Sequence, residues 1–364
     1  VFGRQGSIYD LLADAKQRTA RIAINAWGLN GNYGEYTADS RSVDQFVKDE
    51  ETLLPIFSVG DWEGNGVSLV TAPATAKNVL SVGVSTTGSG CSTPQGSVDP
   101  ISREGPTIDG RIKPDILAPG SYILSTKSRS AGACGWGTYN TSYCYMGGTS
   151  MSTPLTAGAT ALLLQHLIDN RGHQDPSSAL VKAIFAASAH DMMGQYSDVT
   201  NGAGETAPNN HEGWGRVDLR NALNATFIED ESVSTSGNRG WSFNIPASAP
   251  DLNIVLSWTD PESTTVASTN LVNDLDLAVK DPSGTWTELS NNLDNLRGLK
   301  FANPAQGTWE VHVNGTNVPR GPQFFALALN QETTLVNLTE DEDLDGVIDD
   351  DDDCVSTYGT STVD

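Results

Sequence analysis

The sequence contains no run of about 18 consecutive apolar residues, so it predicts no transmembrane helix. Basic residues are scarce as well: there are 21 Lys and Arg against 45 Asp and Glu, for a net charge of −24. Such an acidic chain argues against nucleic acid as a partner, because phosphate binding needs Lys and Arg. The chain starts at Val1 without a signal peptide. We expect it to begin inside a longer protein, so the missing signal excludes nothing about export.

Cysteine is rare, with four residues in 364. Cys134 and Cys144 are separated by nine residues and lie at the two ends of a loop rich in Gly, Tyr and Ser. A disulfide between them is expected to brace the segment that follows, and it fits an oxidising compartment. Two free buried thiols are the alternative interpretation. Cys91 and Cys354 have no evident partner.

Apolar strands alternate with helical patterns through the first part of the chain. Ser7 precedes apolar residues at helical spacing, with Asp10 three positions later, which predicts a capped helix. This order of elements is typical of a parallel α/β sheet covered on both faces, and ligands of such sheets bind at the carboxyl ends of the strands. The predicted strands are residues 21–28, 53–60 and 79–84, and the further predicted helices are residues 39–48 and 178–189.

The sequence Gly147-Gly148-Thr149-Ser150-Met151-Ser152-Thr153-Pro154 precedes a long run of small and apolar residues. A glycine pair followed by hydroxyl residues predicts a tight turn into a buried helix, with Thr149 or Ser150 as its cap. A serine there lies at the positive end of the helix dipole. These residues resemble the nucleophile motif of the subtilases, the subtilisin-like serine peptidases, and Ser150 occupies the nucleophile's position. A capped core helix without catalytic function is the alternative.

Further segments resemble the same family. Residues 71–83 are similar to the stretch after its oxyanion loop, residues 109–120 to a segment before the nucleophile, and residues 213–217 to the end of the catalytic domain. The resemblance implies a subtilisin-like three-layer α/β fold with a parallel sheet, present in part, over residues 1–228. It also implies that two strand ends form the walls of the S1 pocket, which holds the side chain before the cleaved bond. The candidate substrate-binding residues are these walls and the nucleophile turn: Ala26, Trp27, Gly28, Ser58, Val59, Gly60, Gly148 and Thr149.

From about Ser232 the period of the apolar residues changes from 3.6 to 2. Short alternating strands separated by turns predict an antiparallel β-sandwich over residues 232–332. The similarity to large alkaline subtilases with a C-terminal β domain implies a jelly-roll type. Asp274 and Asp276 face the same side of one strand. They are either Ca²⁺ ligands or part of a polar strand face.

Residues 339–364 contain 11 acidic residues and no Lys or Arg. Oxygen-bearing side chains at every second position, followed by Gly346, suit a calcium-binding loop. The later acidic spacing and Cys354 resemble the thrombospondin type 3 repeat. The sequence therefore predicts Ca²⁺ as a cofactor, and a disordered acidic tail is the alternative. The predicted metal ligands are Asp341, Asp343, Asp345, Asp349 and Asp352.

Peptide hydrolysis needs an activated hydroxyl, a base, a group that orients the base, and donors for the oxyanion. In subtilases the orienting Asp and the His precede the Ser in the chain. All five histidines here follow Ser150, and none lies in a motif like that of the family's catalytic His. We therefore expect the Asp and His to belong to a missing N-terminal part of the catalytic domain, and this chain alone to be inactive.

The oxyanion position departs from the family pattern, because Asp61 lies where most subtilases have Asn. Asn donates an N–H bond to the oxyanion, whereas an ionised Asp only accepts hydrogen bonds. Three interpretations are open. A protonated Asp61 donates, and a member of the related proprotein convertases carries Asp there; or Asn65 donates after a loop shift; or the protein is a weakened or inactive relative.

Two functions therefore compete. The first is a secreted, calcium-stabilised serine endopeptidase that acts on protein or peptide substrates. The second is a catalytically impaired relative that binds peptides and adheres to a surface through calcium-binding repeats. An upstream Asp followed by the family's His motif would distinguish the first from the second.

Overall fold

The computed structural model describes residues 6–62, 64, 68–88, 96–129, 134–192 and 207–338. Asn65, Cys91, Cys354 and the acidic tail with its five predicted Ca²⁺ ligands lie outside these ranges. The helices are α1 (Ile8–Gln17), α2 (Ala38–Asp49), α3 (Thr149–Asp169), α4 (Ser178–Ser188) and α5 (Leu219–Ala222). The strands are β1 (Ile22–Asn25), β2 (Leu54–Ser58), β3 (Leu80–Ser85), β4 (Ile116–Pro119), β5 (Ile123–Thr126), β6 (Gly137–Thr138), β7 (Tyr143–Met146), β8 (Thr226–Val233), β9 (Asn238–Ile245), β10 (Leu252–Ser257), β11 (Asp274–Lys280), β12 (Trp286–Leu289), β13 (Leu296–Phe301), β14 (Gly307–Asn317), β15 (Gln323–Leu329) and β16 (Val336–Asn337).

A sheet of four strands, in the order β1-β2-β3-β4, organises the first half of the molecule. Each strand pairs in parallel with the next. β2 and β3 are buried along their whole length, which explains why their apolar residues are continuous rather than alternating. The predicted α/β fold with a parallel sheet is confirmed. Within the described ranges, no helix combines the length and apolar character needed to cross a membrane.

Helix α1 begins where the sequence predicts. The Ser7 hydroxyl oxygen accepts the backbone N–H of Asp10, and the Asp10 carboxylate accepts the backbone N–H of Ser7. This reciprocal pair satisfies two amides that have no partner within the helix. Leu12 of α1 and Phe46 of α2 then pack in one core with Phe57 of β2.

Helix α4 is shared by the two halves of the molecule. All 11 of its residues are buried. Its side chains belong to a core that contains Val82 of the parallel sheet as well as Val255 and Ala326 of the later strands. A helix that is buried all round needs cover on every side. Strands β10 and β15 cover one side of α4, and helices α3 and α5 also pack against it.

Two antiparallel sheets, ordered β13-β10-β15-β8 and β12-β11-β14-β9-β16, form the second half. Their facing sides enclose a core that includes Leu275, Leu277 and Trp309. The first strand, β8, begins at Thr226 and not near residue 232 as the sequence predicts. Because β8 carries consecutive acidic residues and its pairing with β15 shifts register near Phe325, it shows no alternating pattern.

A buried polar network joins the two halves. The Lys77 ammonium binds the Asp260 carboxylate and donates to two backbone carbonyls at 2.6 and 2.7 Å, and both charged side chains are fully buried. Nearby, the carboxylate of Asp109 accepts hydrogen bonds from Arg111 at 2.9 Å and from the side chain of Asn270 at 2.9 Å. Since an unpaired buried charge is costly, these pairs fix how the halves dock.

Asp274 and Asp276, for which the sequence leaves calcium binding open, bind a cation of the protein itself. Arg297 Nη2 donates to Asp274 Oδ1 at 2.6 Å, and Arg297 Nη1 donates to Asp276 Oδ1 at 2.8 Å. The Arg297 side chain is almost fully buried. The two carboxylates therefore belong to a structural ion-pair cluster, and no group of His, Cys, Asp or Glu in the described part of the chain is arranged to hold a metal.

Candidate active site

Ser150 is the second residue of α3, at the end of the helix where backbone N–H groups have no partner within the helix. The residue is exposed, and its Oγ donates to the backbone carbonyl of Ala26 at 3.3 Å. The helix dipole at this end favours negative charge close to the hydroxyl. The site is therefore suited to an anion that develops on a reacting carbonyl oxygen.

Two glycines let the chain turn into α3. Gly148 is the N-cap, with a φ of 128° that favours glycine, and a Cβ there would lie 2.4 Å from Asp61 Oδ2. A Cβ on Gly147 would lie 2.4 Å from the Trp136 ring. The prediction that Thr149 or Ser150 caps the helix is wrong: the cap is Gly148, which offers no side-chain hydrogen bond.

The carboxylate of Asp61 binds the helix terminus instead. Its Oδ1 accepts the backbone N–H of Thr149 at 2.8 Å and the Thr149 hydroxyl at 2.7 Å. Behind it, Arg103 Nε donates to the Asp61 carbonyl oxygen at 3.1 Å, and Gly60 has a φ of 96° that aims the chain at the helix. Asp61 thus lies next to Ser150 as an acceptor of hydrogen bonds.

The two predicted wall segments lie side by side at the carboxyl ends of β1 and β2. The Ser58 hydroxyl donates to the carbonyl of Trp27 at 3.5 Å and so links the two segments. The Trp27 ring, 43% exposed, packs edge-on against Phe57 with 5.6 Å between centroids. Together with the bond from Ser150 to the carbonyl of Ala26, these contacts bring the predicted nucleophile, oxyanion position and walls into one place.

Thr71 is a site residue that the sequence argument does not single out. A Cβ on Gly28 would lie 2.1 Å from Thr71 Oγ1, and a Cβ on Gly60 would lie 2.9 Å from Thr71 Cγ2. The Thr71 hydroxyl also donates to the carbonyl of Val59 at 3.2 Å. The side chain therefore lies against both walls, and only the tertiary structure brings these separate segments together.

The five histidines all lie in the described ranges, and the hydrogen bond that the structure gives the Ser150 hydroxyl goes to the Ala26 carbonyl and not to any of them. His173 bonds Glu229, and His211 Nδ1 lies 2.6 Å from Glu104 Oε2. His190 pairs through its backbone with Arg216. The remaining two are His166, in α3, and His312, in β14. The partner of the Ser150 hydroxyl is a backbone carbonyl, which cannot accept its proton during a reaction.

Cys134 and Cys144 are neighbours and are free thiols in the structure. The hydrogen bond between the two side chains, together with burial, raises the pKa of the Cys144 thiol. Cys144 lies in β7, which pairs with β5 and β6 and leads into Gly147. The predicted disulfide is not formed here, although the two sulfur atoms are within hydrogen-bonding reach.

Residues 3–215 match the model of the subtilase family. The chain is similar to the serine protease/ABC transporter B family protein tagB of Dictyostelium discoideum, with 26% identity over 86% of this chain and 24% of that protein. It is also similar to the serine protease AprX of Bacillus subtilis strain 168, with 36% identity over 40% of this chain and 34% of that protein.

The chain spans about a quarter of the length of the curated relatives tagB and tagD that it matches. Among solved structures, it is similar to the prenylagaramide maturation protease PagA, with 23% identity, a TM-score of 0.45, and coverage of 61% of this chain and 70% of that one.

Proposed function

The chain belongs to the subtilase family, and from that premise we propose that it is part of a secreted serine endopeptidase that acts on protein or peptide substrates. The observation that carries this proposal is the place of Ser150. Its exposed hydroxyl lies in the first turn of α3, beside the wall segments 26–28 and 58–60. A serine so placed can attack the carbonyl carbon of a substrate residue whose side chain lies between the two wall segments.

In the proposed reaction, Ser150 Oγ forms a bond to the carbonyl carbon and its proton passes to a histidine. The negative charge on the carbonyl oxygen lies near the N-terminal end of α3, whose dipole favours it. We propose that the histidine and its orienting aspartate are residues outside these 364, because the Ser150 hydroxyl bonds the Ala26 carbonyl and none of the chain's own histidines.

One observation favours a second function. The Asp61 carboxylate, bonded to Thr149, presents oxygen where a donor is needed. An ionised carboxylate repels the oxyanion, and the loss of one donor lowers the rate by about 10²–10³-fold. The second candidate is therefore a catalytically impaired relative that still binds peptides between the walls.

The peptidase activities of two proteins, the 364-residue chain and a longer form, distinguish the two proposed functions. The 364-residue chain is expected to hydrolyse a fluorogenic peptide no faster than its Ser150→Ala variant, because it has no base. A longer form that contains the family's Asp and His is expected to be active, and Ser150→Ala to lower its turnover by about 10⁶-fold. Hydrolysis by the short chain that Ser150→Ala abolishes would overturn the assignment of the base. An inactive longer form would support the peptide-binding function.

Three further features belong to this proposal. We propose that Cys134 and Cys144 form a disulfide in an oxidising, extracellular compartment, which alkylation and mass spectrometry of the secreted protein would test.

We propose that Asp341, Asp343, Asp345, Asp349 and Asp352 bind Ca²⁺. A calcium titration of the full chain against one ending at residue 338 would test this. The jelly-roll assignment of the β-sandwich rests on the family resemblance.

A further inference from the structure

The outward face of the second sandwich sheet carries a depression with an aromatic wall. Trp286, at 45% exposure, lies at the end of this sheet in β12. Its ring packs edge-on against His312 at 5.1 Å, and the Lys280 ammonium lies 5.7 Å from the ring centroid. The depression has a volume of about 330 Å³. The lining residues are Asn238, Ala278, Trp286, Glu288, His312 and Asn314.

Strand register explains the shape of the depression. Ala278 lies opposite both Glu288 and His312, and Gly240 lies opposite His312 on the other side. The His312 ring leans over Gly240, where a Cβ would lie 2.8 Å from the ring. His312 therefore has a small residue opposite it on each neighbouring strand, Ala278 on one side and Gly240 on the other. These small residues leave space between the larger side chains, and Ala278 lies at the bottom of this space, below Trp286.

Polar groups surround this space in a fixed arrangement. Asn238 Nδ2 donates to Asn314 Oδ1 at 2.5 Å, and His312 Nδ1 lies 3.3 Å from Asn238 Oδ1. Burial lowers the pKa of His312, so the ring is neutral near pH 7. His312 Nε2 has no hydrogen-bond partner among the described residues, and its nearest carboxylate oxygen, on Glu310, lies 3.5 Å away. The unpartnered His312 Nε2 is itself buried, so the polar groups at the rim are the side-chain amides of Asn238 and Asn314, which can donate and accept, and the Glu288 carboxylate, which accepts.

The charges argue against an ionic ligand. The Lys280 ammonium is bound to Glu310 at 2.8 Å, which leaves no free cation for an anion. Glu288 adds a negative charge at the rim. A cation would meet the Lys280 ammonium beside Trp286. The space is shallow, and it combines one exposed indole with side-chain amides and a carboxylate that can bond hydroxyl groups. It therefore fits a neutral, polyhydroxylated ligand. Such a ligand stacks its C–H face on an aromatic ring and bonds its hydroxyls to amides and carboxylates.

We infer that the depression between Trp286, His312 and Asn238 binds a sugar unit of a neutral oligosaccharide. This site lies on the sheet farther from α4, because the other sheet packs against that helix. The inference does not depend on peptidase activity. It assigns the β-sandwich a role in attachment to glycans, which the Ser150 site does not need.

Isothermal titration of the 364-residue chain tests the inference with cellotriose, maltotriose, laminaritriose and chitotriose, each up to about 10 mM. At least one trisaccharide is expected to bind with a Kd of about 0.1–1 mM. Trp286→Ala is expected to weaken that binding by about tenfold or more. Phe324→Ala is the matched control, because Phe324 is an exposed aromatic residue, 49% exposed, on β15 of the other sheet.

Unchanged thermal melting of both variants would show that the fold is intact, as expected for exposed side chains. Asn238→Ala provides a second variant, which should weaken binding without removing the aromatic wall. Failure of all four sugars to bind would overturn the inference. Binding that Trp286→Ala leaves unchanged would overturn it as well.

Discussion

At the scale of single residues, Asp61 is the side chain on which the proposed function of the Ser150 site depends most. Its carboxylate replaces the side-chain cap that α3 lacks, since Gly148 has no side chain to offer. Asp61 thus stabilises the helix terminus, and under the second proposed function it also opposes the reaction. The two roles can be separated by substitution.

Asp61→Asn in the longer form is expected to raise kcat for a peptide substrate by about 10²–10³-fold. The Asn carbonyl oxygen can keep the two hydrogen bonds from Thr149, and its amide supplies the missing donor. Steady-state kinetics on a fluorogenic peptide measure the change. Unchanged or lower activity would reject the idea that the aspartate is a handicap. Asp61→Ala, which loses both the cap and any donor, is the control.

Thr71 is expected to restrict the residue before the cleaved bond to small side chains, since it lies against both walls. In the longer form, Thr71→Gly should raise kcat/KM for a substrate with Phe at that position, relative to Ala, by about tenfold or more. A pair of matched fluorogenic peptides measures the ratio.

Thr71→Val is the matched control, because Val nearly preserves the volume and should keep the preference for Ala. A native protein that cleaves after Phe as readily as after Ala would contradict the prediction.

At the scale of elements, the turn at residues 209–215 fastens the end of the catalytic part to β4. Gly213 has a φ of 60°, and a Cβ there would lie 2.1 Å from the carbonyl oxygen of Pro114. Glu212 in the same turn is fully buried and accepts the backbone N–H of Met192 at 2.8 Å. Burial outweighs that hydrogen bond and raises the pKa of Glu212 to about 7.

The Glu212 carboxyl predicts a pH dependence of stability. In the unfolded chain it ionises near its ordinary pKa of 4.5, whereas in the folded protein it keeps its proton until about pH 7. Its contribution to the free energy of unfolding should therefore fall as the pH rises from about 4.5 to 7, by up to about 3 kcal/mol, and level off above that. Urea unfolding of the native chain and of Glu212→Gln, at several pH values, isolates this group. Equal pH slopes in the two proteins would contradict the assignment.

At the scale of the whole molecule, a shared core that includes α4 and the buried Lys77–Asp260 pair join the two halves. The pair is fully buried, so removal of one partner leaves an uncompensated charge.

Lys77→Ala is therefore expected to lower the free energy of unfolding by about 3–5 kcal/mol. Arg18→Ala is the control, since its ion pair with Asp14 is largely exposed and should contribute about 0.5 kcal/mol or less. Chemical denaturation of both variants measures the difference. A Lys77→Ala protein as stable as the control would show that the pair does not hold the halves together.

Several parts of the fold could be predicted from the sequence because their signals are local. The Ser7 cap, the continuous apolar strands β2 and β3, and the alternation in β11 and β14 follow from periodicity and capping, which act over a few residues. The motif around Ser150 is also local, and it identified the place of α3 correctly. The start of β8 was not predicted, because a register shift in its pairing with β15 removes the alternation of apolar and polar residues.

The tertiary structure alone decided what depends on contacts between distant segments. It placed Thr71 against the walls, bonded Asp61 to Thr149, and paired Asp274 and Asp276 with Arg297 rather than leaving them for a metal. It also buried α4 against β10 and β15 and set Trp286 beside His312. These outcomes depend on how sheets and helices pack, and a pattern read along one segment carries no information about the side chains that another segment brings to it.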